Sequence, residues 1–203
     1  EIKKIANSAL NFSINRFIEI IGISIVLVGL LLIVSLISYS PDDPNFIFPD
    51  NTEIKNFLGF RGSFISDLFF QSLGFASLLI LLSLIFTGIN IFLNKKLLVI
   101  IESLFYVSLY SLLGSLFFAT FYPGAFELYI NGNGGFVGAY LQSTFINSLI
   151  ILNLNISYYI LLIIILVLFL ISIQFRTQFC FIFLKKIFRS LFKKKEKNYT
   201  KEN

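Results

Sequence analysis

Four long apolar runs constrain the fold of this chain more than any other feature. They are Ile18–Tyr39, Phe75–Leu93, Leu97–Phe121 and Ile156–Ile173. Each is close to the roughly 20 residues that an α-helix needs to cross a hydrocarbon layer about 30 Å thick. The composition agrees, because 57% of the residues are hydrophobic and only 13% are charged, which is too apolar for an ordinary soluble domain. We therefore predict an all-α integral membrane protein with four transmembrane helices.

The positions of the basic residues predict how these spans are oriented. Nine of the sixteen Lys and Arg residues lie between Arg176 and Lys201. Others precede the first span or lie in the short turn between the second and third spans (Lys3, Lys4, Arg16, Lys95, Lys96). The charged residues of the other two loops are mostly acidic, with only Lys55 and Arg61 as cations. Because cytoplasmic loops are enriched in Lys and Arg, we expect both termini inside the cell and the two acidic loops outside.

The chain resembles itself at an offset of 76 residues. The segment GFRGSFISDLFFQSLG, residues 59–74, aligns with GFVGAYLQSTFINSLI, residues 135–150. The shared residues include the glycine pairs of a GxxG turn, and polar residues recur at helical spacing on one side of each segment. The members of these patterns are Gly59, Gly62, Ser66, Asp67 and Gln71 in the first copy, and Gly135, Gly138, Gln142, Ser143 and Asn147 in the second.

Each repeated segment comes directly before a span, and the combined length implies a break. A single helix from Ser63 to Leu93 would be about 46 Å long, beyond the ~30 Å hydrocarbon thickness. We expect breaks near Gly74 and within Asn153–Ser157. The predicted architecture is two parallel repeats, each with a span, an outer loop, a GxxG turn, a short amphipathic outer helix and a returning span. The alternative is two long tilted helices with ordinary loop glycines.

The chain offers little catalytic chemistry. It has no histidine and one cysteine, Cys180, and it contains no phosphate-binding loop or zinc-binding HExxH motif. Acidic residues within spans are functional candidates by default, yet Glu19 lies three residues from Arg16 at a span edge. Glu102 lies near the start of the third span, within reach of Lys95 or Lys96. We predict no catalytic, cofactor-binding or metal site in this chain.

An acidic turn, SYSPDDPNF, follows the first span directly. Asp42 and Asp43 are flanked by Pro41 and Pro44. Carboxylates are costly in hydrocarbon and proline interrupts helices, so this turn marks where the first span leaves the membrane.

The C-terminal tail has a basic amphipathic pattern. Apolar residues recur at helical spacing in LKKIFRSLFKKKEK, and the other faces carry cations expected to contact an anionic lipid surface. These are Lys185, Lys186, Arg189, Lys193 and Lys194. The predicted domains are a cytoplasmic segment (1–17), the four-span domain (18–175), this basic helix (176–197) and the start of a linker (198–203).

The order of these motifs resembles one family. A first span ending in a proline-flanked acidic turn, two GxxG elements before spans two and four, and a basic exit are similar to the N-terminal four-span membrane domain of the FtsK/SpoIIIE DNA translocases. The residues that carry the resemblance are Tyr39, Pro41, Asp42, Asp43, Pro44, Gly59, Gly62, Gly135 and Gly138.

This resemblance implies a function outside catalysis. In this family, the four-span domain anchors a hexameric ATPase motor in the bacterial inner membrane at the division septum, where the motor moves chromosomal DNA. We therefore expect membrane lipids, further copies of the chain and other cell-division membrane proteins as partners. DNA, ATP and magnesium would bind only a motor domain following Asn203, so the chain itself is expected not to be an enzyme.

The alternative function is a small transporter or permease subunit, since paired repeats are common in that class. It predicts polar residues that converge at mid-membrane, whereas the four spans supply mostly Ser, Gly and Asn. An integral-membrane enzyme would need a cluster of catalytic side chains, and none is evident.

Overall fold

The computed structural model describes residues 2–44, 53–124 and 131–174. Within these ranges the chain forms α-helices joined by turns, without a β-strand. The helices are α1 (Ile2–Ile37), α2 (Gly59–Leu73), α3 (Ser77–Asn94), α4 (Leu98–Phe121), α5 (Gly135–Gln142), α6 (Phe145–Ile151) and α7 (Leu154–Ser172), with a short 3-10 turn over Gly74–Ala76 between α2 and α3.

The four predicted spans are confirmed. In the described ranges, four helical segments are long and apolar enough to cross a membrane. The first lies within α1, the second covers α2 and α3, and the third and fourth are α4 and α7. The helices α3, α4 and α7 begin and end within two residues of the predicted second, third and fourth spans. The first differs, because α1 begins at Ile2 rather than near Ile18 and runs for 36 residues, about 54 Å at the helical rise. The predicted N-terminal segment and the first span are therefore one continuous helix.

The two halves of the chain have the same order of elements. In the first half α1 packs on α3, in the second α4 packs on α7, and α3 joins the halves by packing on α4. The short turn at Lys95–Leu97 defines what we call the hairpin end of the bundle. The opposite end carries the two loops that precede α2 and α5, and we call it the loop end.

Both predicted helix breaks are present. Gly74 has a φ of 60°, and the 3-10 turn begins at this residue. In the second half, Asn153 separates α6 from α7, and its side chain accepts a hydrogen bond from the Ile156 amide.

We call the helical segment between each loop and the following span an outer element. The first outer element is α2, whereas the second consists of two helices, α5 and α6. The Ser143 hydroxyl bonds the Tyr140 carbonyl at 2.7 Å, and the Thr144 hydroxyl bonds the Leu141 carbonyl at 2.6 Å. Thr144 itself has an extended backbone. Side chains that take up the last carbonyls compete with continuation of a helix, so α5 ends here.

Close helix contact holds the first half together. A Cβ added to Gly88 of α3 would lie 2.7 Å from the Gly22 carbonyl oxygen of α1, and one added to Gly29 would lie 2.8 Å from the Ile85 side chain. Apolar clusters flank this contact at Leu36, Phe70 and Leu81 near the loop end, and at Ile18, Ile91 and Val99 near the hairpin end. The helices therefore pack at a separation that only glycine allows.

Candidate functional site

The acidic turn is part of a buried polar cluster at the loop end. The Asp43 side chain is 3% exposed. Its two oxygens accept the backbone amides of Lys55 and Asn56, both at 2.8 Å. A carboxylate that accepts backbone N–H groups forms a strong, charge-assisted bond. Asp43 therefore fastens the end of the first loop to the turn after α1.

The neighbouring acid has a different environment. Asp42 is exposed, and its carboxylate bonds the Lys55 ammonium at 2.9 Å. The hydrogen bond and charge of Asp42 raise the pKa of Lys55. Two adjacent carboxylates thus have separate roles, since Asp43 binds backbone and Asp42 forms a surface ion pair.

The two prolines occupy positions that suit the end of α1. Pro41 lies four residues after Ile37, the last residue of the helix, which is the separation at which a proline ring collides with a helical carbonyl. The Pro44 carbonyl accepts the Ser63 hydroxyl of α2 at 2.8 Å. The turn therefore ends one helix and supports the next.

Asn56 joins this turn to α1. Its amide nitrogen donates to the Ser35 carbonyl at 2.8 Å, and its side-chain oxygen accepts the Leu58 amide at 3.1 Å. A Cβ on Gly62 would lie 2.1 Å from that same oxygen. The Ser35 hydroxyl in turn donates to the Gly62 carbonyl at 2.7 Å. Gly62 is thus a close-approach position between α1, the turn and α2.

Asp67 lies on the same inward side of α2. It is 7% exposed and accepts the Tyr39 hydroxyl at 3.2 Å. We call the buried set at this end the outer polar cluster; its members are Ser35, Asp43, Asn56, Ser63, Ser66 and Asp67.

The first glycines of the two GxxG turns have matching conformations. Gly59 and Gly135 both have a φ of 63°. Gly59 donates its amide to the Asn56 carbonyl at 2.9 Å, and Gly135 donates to the Gly132 carbonyl at 3.1 Å. Residues other than glycine rarely adopt this left-handed backbone. Both outer helices therefore start with the same turn.

The second glycines also have matching roles. A Cβ on Gly138 would lie 2.4 Å from the Ser115 carbonyl oxygen of α4, as one on Gly62 would overlap Asn56. The two turns thus bring a short helix against the preceding span in each half.

The two halves meet where α2 ends. The Phe75 amide donates to the Asn133 carbonyl at 3.0 Å, and the Ser115 hydroxyl donates to the Leu73 carbonyl at 3.0 Å. A Cβ on Gly74 would lie 1.9 Å from the Asn133 oxygen. The Asn133 side chain also donates to the Tyr122 carbonyl. The break in the first repeat is therefore the docking point of the second.

The ion pairs near the hairpin end contradict the expectation that Lys95 reaches Glu102. Glu19 bonds Arg16 at 2.5 Å and Lys95 at 2.9 Å, so Lys95 does not reach Glu102. The reason is that α3 packs on α1, which places Lys95 beside Glu19. Glu102 instead accepts a hydrogen bond from the Gln174 side chain at 3.1 Å.

Neutral hydroxyl pairs connect α3 to α4 and α7. The Tyr110 hydroxyl donates to Ser83 at 2.8 Å, Ser83 bonds Ser172 at 2.8 Å, and Thr87 bonds Ser103 at 2.6 Å. These groups satisfy one another inside the bundle. Among the residues that the structure describes, no group of three or more acidic or cysteine side chains could hold a metal ion.

Sequence reasoning missed the Gly22–Gly88 contact and the Asn56 link. The seven-residue spacing of Gly22 and Gly29, two helical turns, was the available signal for the first. Nothing in the sequence around Asn56 distinguished it from a surface loop residue. The predicted lipid-binding cations Lys185, Lys186, Arg189, Lys193 and Lys194 lie outside the described residues.

Comparison with known proteins identifies the family. The family model for the 4TM region of DNA translocase FtsK/SpoIIIE matches residues 15–186. The chain belongs to this family. Together with the four apolar helices, this makes it a multi-pass membrane domain. The resemblance carried by the acidic turn and the glycine pairs is thereby confirmed.

Two FtsK relatives match part of the chain. The DNA translocase FtsK of Rickettsia bellii (strain RML369-C) is 32% identical over 87 residues, which cover 41% of this chain and 12% of that protein. The DNA translocase FtsK of Azospirillum brasilense is 36% identical over 87 residues, covering 42% of this chain and 14% of that protein. The matched region is thus a small part of each relative. No solved structure matches the chain.

Proposed function

We propose that this chain is the membrane anchor of a DNA translocase of the bacterial inner membrane and directs it to the division septum. The observation that carries the proposal is the family match over residues 15–186. The two relatives named DNA translocase FtsK are several times longer than the matched region, which leaves room in such proteins for a motor. On this proposal, the motor follows Asn203, forms a hexamer and binds ATP, magnesium and DNA.

The polar groups of the described structure support an anchoring role. The Asp43 carboxylate bonds backbone amides, and the Asp67 carboxylate accepts the Tyr39 hydroxyl. Between the spans, Tyr110 bonds Ser83 and Thr87 bonds Ser103. The family match favours an anchor over the alternative of a small transporter. The polar side chains that converge between α3, α4 and α7 are neutral hydroxyls bonded to one another.

The proposed orientation places the hairpin end and both termini in the cytoplasm. Lys95 and Lys96 lie at the hairpin end. Arg16 lies at the same end, because Arg16 and Lys95 both form ion pairs with Glu19. Basic residues are enriched on the cytoplasmic side of membrane proteins. The loop end, with the exposed Asp42, then faces outward.

Cysteine labelling tests the orientation. In a background with Cys180→Ser, single cysteines at Lys55 and Asn131, both exposed at the loop end, should react with a membrane-impermeant maleimide added to whole cells. A cysteine at Lys96 should react only after the cells are opened. The reverse pattern would refute the orientation. Asn133 is unsuitable for labelling because it is buried.

Fluorescence microscopy tests septum targeting. The chain fused at its C-terminus to a fluorescent protein should concentrate at the constriction of dividing cells. An unrelated four-span protein with the same fluorescent tag serves as the control and should be spread evenly. Even distribution of both fusions would refute targeting by this domain.

A further inference from the structure

The α2 helix has its polar side turned toward the protein and its apolar side turned outward. Ser66 is fully buried and Asp67 is 7% exposed, whereas Phe60 is 51% exposed and Leu68 is 57% exposed. A helix on a water-facing surface has the opposite arrangement. Phe57, just before α2, extends the apolar side and is 79% exposed. The outward side of α2 therefore suits an apolar environment.

The second outer element repeats this arrangement. Gly135 and Gly138 of α5 are turned toward the bundle, where the added-Cβ contacts lie. Phe136 and Tyr140 stack on each other with ring centroids 6.4 Å apart, and both are exposed. Phe145 of α6 is 75% exposed. Phe60 and Phe136 occupy the same position at the 76-residue offset, so the exposed aromatic ring recurs in both repeats.

The height of α2 along the bundle can be measured from α1. The paired charges of Glu19 and Lys95 mark the hairpin end of the membrane-spanning region, since charges lie at span edges. Ser35, which bonds Gly62 of α2, is sixteen residues further along α1, or about 24 Å at the helical rise. The hydrocarbon layer is about 30 Å thick. The start of α2 therefore lies at the edge of the hydrocarbon layer.

The far end of α2 has the same height when it is measured along α4. Leu73 bonds Ser115, which lies seventeen residues after Leu98 at the hairpin end, about 26 Å along the helix. Gly138 of α5 contacts the same Ser115. Both ends of α2 and the adjoining part of α5 thus share one level, and tilt of the spans would move that level further into the hydrocarbon. The α2 helix therefore lies roughly parallel to the membrane plane.

From this height and polarity we infer that α2, α5 and α6 are embedded in the lipid of the membrane interface, with their exposed aromatic and aliphatic residues in contact with acyl chains. The outer polar cluster then lies inside the protein, on the side of α2 that faces away from the lipid. Aromatic residues favour this interfacial depth, and the exposed Arg61 has a side chain long enough to reach headgroups. The apolar surface is continuous with that of the spans, because Leu152, just after α6, and Leu154, the first residue of α7, are also exposed. The inference holds for either orientation of the chain in the membrane.

Nitroxide power-saturation spectroscopy tests this inference. The full chain with Cys180→Ser carries a single spin label at Phe60, Leu68, Phe136 or Phe145, and is reconstituted at low protein density in phosphatidylcholine and phosphatidylglycerol vesicles. Oxygen concentrates in lipid, whereas a water-soluble nickel chelate is excluded from it. At each position we expect higher accessibility to oxygen than to the chelate.

Matched controls calibrate the measurement. Ile163, exposed on the span α7, should give the lipid pattern, and Glu53 and Asn131, exposed in the loops, should give the aqueous pattern. Chelate accessibility above oxygen accessibility at the four test positions would place these helices in water and overturn the inference. Low accessibility to both reagents would show that a second copy or another protein covers them, which also overturns it. Four independent positions keep the result readable if one labelled variant misfolds.

Discussion

The two outer elements start with the same glycine turn but are fastened to the bundle by different groups. In the first repeat the Asp43 carboxylate and the Asn56 amide hold the turn. In the second, Gly138 lies against the Ser115 backbone, and the Asn133 carbonyl accepts an amide from the first repeat. What the repeats share is therefore backbone geometry at the glycines, whereas the polar side chains that stabilise each copy are specific to it.

The largest expected difference in stability is between substitutions at the two helix breaks, Gly74 and Asn153. Gly74→Ala places a Cβ 1.9 Å from the Asn133 oxygen on a backbone with φ 60° and ψ −142°, a conformation open almost only to glycine. Strain and overlap together should lower the free energy of unfolding by about 4 kcal/mol. Asn153→Ala removes only the bond to the Ile156 amide, which costs about 1 kcal/mol.

Unfolding of the purified chain in detergent micelles, titrated with a denaturing detergent and followed by circular dichroism, measures both values. Equal losses for the two variants would show that the break at Gly74 does not dock the second repeat. Retention of the Asn133 contact could then be checked by disulfide trapping.

The acidic turn provides the next largest contrast. Asp43→Ala leaves the backbone amides of Lys55 and the buried Asn56 without their acceptor, and should reduce the free energy of unfolding by about 3 kcal/mol. Asp42→Ala, the adjacent control, removes an exposed ion pair and should have a much smaller effect. The same unfolding titration compares them. Similar losses would contradict the assignment of Asp43 as the buried fastener.

The second glycines of the GxxG turns test whether both repeats depend on close approach. Gly62→Ala and Gly138→Ala should each lose about 2 kcal/mol, since the added Cβ would overlap Asn56 or Ser115. Gly124→Ala is the control, because a Cβ there meets nothing within 4 Å, and its effect should stay within about 0.5 kcal/mol. A Gly138→Ala variant as stable as Gly124→Ala would limit the close contact to the first repeat.

The smallest expected effect concerns the exposed Lys55–Asp42 pair, which the second repeat lacks in the described ranges. The hydrogen bond to Asp42 raises the pKa of Lys55, so the pair stabilises the fold below the unfolded-state pKa of about 10.4. That contribution is lost as the pH rises through the folded-state pKa. Lys55→Gln should therefore be slightly less stable than the parent chain at pH 7 and equally stable at strongly alkaline pH. A difference that persists at alkaline pH would assign another role to Lys55.

The spans and breaks could be predicted from sequence because they depend on local properties. Predicted span three, Leu97–Phe121, differs from α4 by one residue, since an apolar run of this length has one stable arrangement in lipid. The break at Gly74 followed from helix length and membrane thickness. The start of α1 was predicted poorly, because the polar residues before Arg16 end the apolar run without ending the helix.

Contacts between distant residues could not be predicted in this way. Asp42 and Asp43 are chemically identical neighbours, yet one is exposed and the other is buried against residues 55 and 56. Lys95 was expected near Glu102 from sequence proximity, and it pairs with Glu19 because α3 packs on α1.

By itself, the sequence determined the four spans, the repeat and the positions of the glycine turns, because hydrophobic length and backbone freedom are properties of short segments. Only the tertiary structure decided which polar groups are buried together and which side of each outer helix faces outward. The physical reason is that a buried donor must find an acceptor wherever the packed helices bring one, and that partner lies far away in the chain.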